Sequence, residues 1–214
     1  MNGRPDLSLY LVLDPGLCRL HSMVETARAA VAGGATMVQL RDKEAGTAGL
    51  VAAGHALKAA LAGSGVPLIV NDDLEAALAV DAEGLHVGQD DMPAHEASRR
   101  IGPGRILGLS IETEAAARAV DRAAVDYVGI GPVFATPTKP DHKPPIGFDG
   151  LGRLVAISPV PAVAIGGLRA AHVSPVLEAG AGGMAVVSAI CGQLDPAAAA
   201  RGLVATIRAW HERR

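Results

Sequence analysis

The sequence predicts an α/β fold: a single-domain (β/α)8 TIM barrel spanning residues 1–214, on three observations. First, short apolar strand candidates alternate with Ala-rich helical patterns along the whole chain, eight of each. Second, one unit recurs, an Ala-rich helix, a small or Gly stop and then a short apolar strand. It is seen in ARAAVAGGATMVQL, EAALAVDAEGLHVG, ARAVDRAAVDYVG and SPVLEAGAGGMAVV. Third, 50% of the residues are hydrophobic but only 2% are aromatic. That mixture suits helices packed closely on a parallel sheet rather than an aromatic-rich sandwich. Strict alternation implies right-handed parallel crossovers. Eight repeats at this length favour a closed barrel over the other arrangement with this pattern, an open doubly wound sheet.

The predicted strands are LYLVL (9–13), TMVQL (36–40), PLIV (67–70), GLHVG (84–88), RILGLS (105–110), DYVGI (126–130), AVAI (162–165) and GMAVV (183–187). Between them lie the helical patterns SMVETARAAVAGG, TAGLVAAGHALKAALAG, DLEAALAV, PAHEASRRI, IETEAAARAV, DGLGRLVAI and SPVLEAGA, with DPAAAARGLVATIRAWHE last. Gly after a helix supplies a left-handed C-cap, and the β-branched run that follows starts the next strand. No charge run or low-complexity linker marks a second domain.

Composition also excludes. The formal net charge is −3 and the basic residues are scattered, whereas a nucleic-acid footprint needs a basic patch. Cys18 and Cys191 stand far apart in sequence, without CxxC or metal-ligand spacing. This argues against a disulfide framework and a zinc site, and fits a reducing cytosol. The N-terminus lacks an apolar signal core, and no apolar run reaches membrane length without Gly or charge. The expectation is a cytoplasmic protein acting on small molecules, with no nucleic-acid or membrane partner. The oligomeric state is open, a homodimer included.

In a (β/α)8 barrel the active site lies at the C-terminal ends of the strands. The stretch LIVNDDLEAALAVDAEGLHVGQDDMP (68–93) puts acid at two consecutive ends, Asn71-Asp72-Asp73 and Gln89-Asp90-Asp91. Two carboxylates at one mouth could hold a hard cation such as Mg²⁺. They could equally cap the helices that follow, since Asp and Asn are favoured N-caps. Alternation along a strand puts Gln39, Arg41 and Lys43 on one face, with Val38 and Leu40 on the other. An Arg in a barrel mouth needs an anion, which is either a phosphate ligand or Asp42 or Glu44. His86 shares a face with Gly84 and Gly88, whose missing side chains leave room for a flat ligand. A satisfied core histidine is the other reading. Ser110 ends strand five and is either a site hydroxyl or the N-cap of the next helix.

The long loop GPVFATPTKPDHKPPIGFDG after strand six offers Thr136, Thr138 and Lys139, and loops of this length in compact domains are usually functional. Gly166-Gly167 after strand seven and Ser188 after strand eight stand where many barrels bind a phosphate through backbone N–H groups. The mouth thus holds acids, cations and a glycine loop, without a nucleophile–base pair or a strand lysine for a Schiff base. Such a set supports charge stabilisation of a leaving group rather than covalent catalysis.

Taken together, VQLRDK, LIVNDD, GLHVGQDD, LGLS, DYVGIGPVFATPTK, PAVAIGGL and AVVSAI resemble, in order and spacing, the signature blocks of the thiamine-phosphate synthase family. The resemblance runs from about Tyr10 to Ile190. It implies a transferase that forms a C–N bond, joining hydroxymethylpyrimidine pyrophosphate to a thiazole phosphate with one Mg²⁺ and releasing pyrophosphate through a pyrimidine carbocation. Gln39, Arg41 and Lys43 would bind the pyrimidine pyrophosphate, with Asn71 at its phosphates. Asp72 and Asp91 would be the Mg²⁺ ligands. Ser110 and Lys139 would contact the pyrimidine and its leaving group, so Ser110, Lys139, Arg41 and Lys43 are the catalytic set. Thr136, Thr138, Gly167, Val187 and Ser188 would hold the thiazole phosphate, and His86 matches a residue of the pyrimidine pocket. Asp73, Asp90, Asp141, His142 and Lys143 receive no role.

Three rivals remain. A thiazole tautomerase would share the barrel but has no pyrophosphate for Asp72, Asp91, Arg41 and Lys43 to meet. An isomerase of sugar or indole metabolism would need an acid–base pair. A catalytically silent regulator would keep the binding residues.

Overall fold

A computed structural model describes residues 5–136 and 143–213. Within them, eight parallel strands close in sequence order into a barrel: β1 (Leu9–Leu13), β2 (Met37–Leu40), β3 (Leu68–Asn71), β4 (Gly84–Val87), β5 (Ile106–Ile111), β6 (Tyr127–Ile130), β7 (Ala162–Ile165) and β8 (Gly183–Val186). β8 returns to β1 with Leu11 opposite Val186. The helices are α1 (Ser22–Ala32), α2 (Gly46–Leu61), α3 (Leu74–Val80), α4 (Ala94–Ile101), α5 (Glu114–Arg118), α6 (Gly147–Ile157), α7 (Val173–Glu178) and α8 (Pro196–Glu212), with a 3-10 turn, Ala170–His172, leading into α7. The closed barrel is the predicted one, and no strand end differs from its predicted bound by more than one residue. The largest difference among the helices is α5, which keeps five residues. β5 runs on to Ile111, and the Thr113 side chain accepts from Ala116 N–H to start the helix late.

Strand parity sorts the core into two layers. Residues such as Leu9, Leu11, Val38, Leu40, Leu68, Val70, Leu85, Val87, Val128 and Met184 face outward and pack under the helices. Tyr10, Val12, Met37, Ile69, Tyr127, Val163 and Ala185 fill the barrel with Leu7 at its base. The lower interior is therefore closed by side chains. Polar side chains at the upper inward positions, Gln39, Asn71, His86 and Ser110, belong to the C-terminal mouth.

Candidate active site

The mouth opens into a cavity of about 380 Å³, within the range of small-molecule sites. Gln39, Arg41, Lys43, Asn71, Asp72, His86, Asp91, Ser110, Thr136, Gly167, Val187 and Ser188 all line it. Thr138 and Lys139 lie outside the described residues.

The acids divide their work between adjacent positions. Asp73 is the N-cap of α3: its side chain accepts from Ala76 N–H at 2.7 Å and from the Thr47 hydroxyl at 2.7 Å. Asp72 is left to the cavity. The chain turns left-handed there (φ 62°), a conformation that Asp and Asn tolerate better than other side chains, and Asp72 N–H donates to His86 O at 2.8 Å. Asp91 accepts from Gly88 N–H at 2.7 Å, and a Cβ at position 88 would sit 2.8 Å from its Oδ2. The N-cap residue of α4 is instead Pro93, and the helix has no side-chain cap. Capping is thus not a second duty of Asp72 or Asp91.

Asp72 and Asp91 meet in a carboxyl–carboxylate hydrogen bond. Burial, then that bond and the Asp91 charge, push Asp72 up to about 6 from an ordinary 3.8, against the pull of Lys43 and Arg41. Asp90, given no role from the sequence, also lines the exposed rim, as does Lys143. Among the described residues no cluster of three or more His, Cys, Asp or Glu forms a metal cage. Two carboxylates are nonetheless a fitting donor set for Mg²⁺, which uses one or two of them and completes its shell with water and substrate phosphate.

Arg41 finds its acid on neither Asp42 nor Glu44 but on Asp14, just past β1, at 3.9 Å. Parallel pairing sets β1 beside β2, with Leu13 opposite Leu40, so the residues that follow those strands are neighbours. The long separation keeps the pair weak and leaves the guanidinium fork available to an anion.

His86 is 7% exposed and hydrogen-bonded at both ring nitrogens: Nδ1 to Tyr127 Oη at 3.0 Å and Nε2 to Ser110 Oγ at 2.9 Å. Burial holds its pKa at about 4, so it is neutral near pH 7. The space expected beside it for a flat ligand is filled by protein. Position 84 is tight against Ile106 and Ile69, and Gly88 makes room for Asp91. Ser110 is not a helix cap, that role being Thr113's, and its hydroxyl stands at the cavity wall.

Across the mouth, Gly166 (φ 100°) and Gly167 (φ 63°) both occupy the left-handed region, where a side chain is strained. A Cβ on Gly167 would sit 2.7 Å from Ala135 O and 2.8 Å from Phe134 Cβ. The loops after β6 and β7 are joined by Phe134 N–H donating to Gly166 O at 3.0 Å.

Residues that sequence reasoning missed are Tyr10, Tyr127, Asp14 and Glu112, all of which belong to the cavity or the wall beneath it. A signal existed for the tyrosines: the chain has only two, and both occur at inward strand positions. Cys18 and Cys191, distant in sequence, are buried neighbours whose thiols act on each other, which pulls the Cys18 thiol down, and the Cys191 thiol donates to Val12 O at 3.7 Å. Both are free thiols.

Residues 9–190 match the family described as thiamine monophosphate synthase. The chain is 51% identical over 204 residues to the thiamine-phosphate synthase of Xanthobacter autotrophicus, covering 95% of this chain and 97% of that one. It is 47% identical to that of Chloroflexus aurantiacus, covering 97% and 96%. The thiamine phosphate pyrophosphorylase structure from Pyrococcus furiosus superposes with a TM-score of 0.86 at 35% identity, covering 97% of this chain and 98% of that one. A 3-hexulose-6-phosphate synthase at 23% identity and TM-score 0.70 shares the fold alone. A closed barrel, a mouth holding an acid pair opposite a glycine loop, and a match over residues 9–190 converge on one conclusion: the chain belongs to the thiamine monophosphate synthase family.

Proposed function

We propose that this chain is a transferase that couples hydroxymethylpyrimidine pyrophosphate to hydroxyethylthiazole phosphate, releasing pyrophosphate and forming thiamine phosphate. The observation that supports this reading is a single mouth lined on two sides by groups suited to anions. Arg41 and Lys43 stand with Asp72 and Asp91 on one side, and Gly166-Gly167 with Val187-Ser188 on the other. Each half suits a different phosphate group, and the cavity between them is where two substrates would meet.

In this reading Asp72 and Asp91 would hold one Mg²⁺, which would supply positive charge to offset that of the substrate pyrophosphate. Arg41 and Lys43 grip the pyrophosphate oxygens, Arg41 through its planar fork, with Asn71 beside them. As the C–O bond to the pyrimidine methylene breaks, negative charge grows on the leaving group, and Arg41 and Lys43 stabilise it more than the ground state. Lys139 adds to that set by resemblance. Gln39 and Ser110 orient the pyrimidine. A neutral His86 suits a site where a carbocation forms, since a second positive charge there would oppose it. Thr136, Thr138, Gly167 and the Val187-Ser188 segment seat the thiazole phosphate. The thiazole nitrogen then attacks with its own lone pair, so the site needs no general base.

The test mixes the purified protein with both substrates and Mg²⁺ and follows thiamine phosphate and pyrophosphate. One-to-one formation is expected. No product, under conditions where the Xanthobacter autotrophicus relative turns over, would overturn the assignment.

A further inference from the structure

Beneath the cavity a line of polar side chains crosses the barrel interior. Gln39 Nε2 donates to Tyr10 Oη at 2.8 Å, Tyr10 Oη lies 2.9 Å from Tyr127 Oη, Tyr127 Oη lies 3.0 Å from His86 Nδ1, and His86 Nε2 lies 2.9 Å from Ser110 Oγ. The five residues come from β2, β1, β6, β4 and β5. Both tyrosines are at most 1% exposed. The interior makes room for them: a Cβ on Gly108 would lie 2.3 Å from the Tyr127 ring and 2.4 Å from His86 Nδ1.

The direction of donation follows from the first bond. Tyr10 accepts from Gln39, so its own hydrogen has one described partner, the Tyr127 oxygen. Tyr127, accepting there, donates to His86 Nδ1. A neutral imidazole that accepts at Nδ1 carries its proton on Nε2, and so donates to Ser110 Oγ. The Ser110 hydrogen is then the one left over, at the cavity wall. With Gln39 Nε2 facing Tyr10, as the structure places it, running the line the other way would leave a buried tyrosine hydrogen without an acceptor, at a cost of about 1–3 kcal/mol.

We infer that Tyr127 is a positioning residue: with Tyr10 and Gln39 behind it, it fixes His86 as the Nε2–H tautomer and thereby turns Ser110 into a hydrogen-bond donor toward the bound ligand. The pocket at this point selects a ligand that presents an acceptor, such as an unprotonated ring nitrogen, and rejects one that presents N–H. The consequence for catalysis rests on the proposed reaction, but the tautomer does not.

Two measurements test this. In ligand-free protein with ¹⁵N-labelled histidine, the His86 resonances, identified by their loss in His86→Gln, should show Nε2 protonated and Nδ1 bare near pH 7. A bare Nε2 with a protonated Nδ1 would overturn the inference whatever the protein catalyses. The second is a double-mutant cycle on thiamine phosphate formation. Tyr127→Phe should lower kcat/KM for the pyrimidine substrate about 10-fold or more, while KM for the thiazole phosphate stays within about twofold. In a Ser110→Ala background the same change should cost less than twofold, because Tyr127 acts through that hydroxyl. Equal losses in the two backgrounds would show a merely structural role and refute the positioning one. Absence of turnover in wild-type protein, with the Nε2–H tautomer intact, would fault the reaction rather than the relay.

Discussion

Replacing Asp72 by Asn should stabilise the protein at neutral pH in the absence of divalent cations. Asn is nearly isosteric and tolerates the left-handed backbone at φ 62°, so the change removes charge with little strain. The folded-state pKa of about 6 against an ordinary 3.8 is a difference of about 2 units. At 1.36 kcal/mol per unit that is about 3 kcal/mol, which partial solvent exposure reduces to about 1–2 kcal/mol. The sign follows from linkage. A raised pKa means the folded state holds the proton more tightly, so the contribution is fully present below about pH 4 and is lost as pH rises through 6. Wild type and Asp72→Asn should therefore have similar Tm values near pH 4. Between pH 4 and 7.5, with chelator present, the variant should gain on wild type by about 2–8 °C for a chain of this size. Thermal unfolding followed by circular dichroism across that range is the assay. Excess Mg²⁺ should reverse the order, because binding to the native state adds about 2.7 kcal/mol at a hundredfold excess over Kd and the variant has lost a ligand. A variant whose Tm follows wild type at every pH would show that the acid pair carries no electrostatic strain.

The neighbouring acid should behave oppositely: Asp73→Ala loses the α3 cap and about 1 kcal/mol of stability, with turnover changed less than twofold. Gly167→Ala forces a side chain into the left-handed region against Ala135 O and Phe134 Cβ. KM for the thiazole phosphate should rise at least 10-fold in steady-state assays, with a stability loss of about 1–3 kcal/mol. Gly108→Ala should cost about 1–3 kcal/mol in denaturant unfolding by overpacking against Tyr127 and His86. Cys18 and Cys191 should react with a thiol reagent only as fast as the protein opens, which rates measured across a denaturant series would show.

Strand and helix periodicity, strand parity and the positions of strand ends are local properties of the chain, and they were legible. Gln39, Arg41 and Lys43 sit together at the cavity because a strand alternates with period two wherever it is placed. Closure of the barrel was legible too, from eight complete repeats. The acids at 72–73 were less so, because two adjacent Asp residues have the same chemistry. Only backbone conformation gave the cap to Asp73 and the cavity to Asp72.

What the sequence determined by itself is therefore the architecture and many of the residues that reach its mouth, though not Asp14 or Glu112. Tertiary structure alone decided who meets whom across the barrel. Arg41 pairs with Asp14, Cys18 touches Cys191, and five strands contribute one residue each to the line from Gln39 to Ser110. The physical reason is that hydrogen bonds and charge pairs act over a few ångströms of space. Positions separated by as many as 173 residues along the chain, Cys18 and Cys191, come within that range only once the sheet has closed on itself.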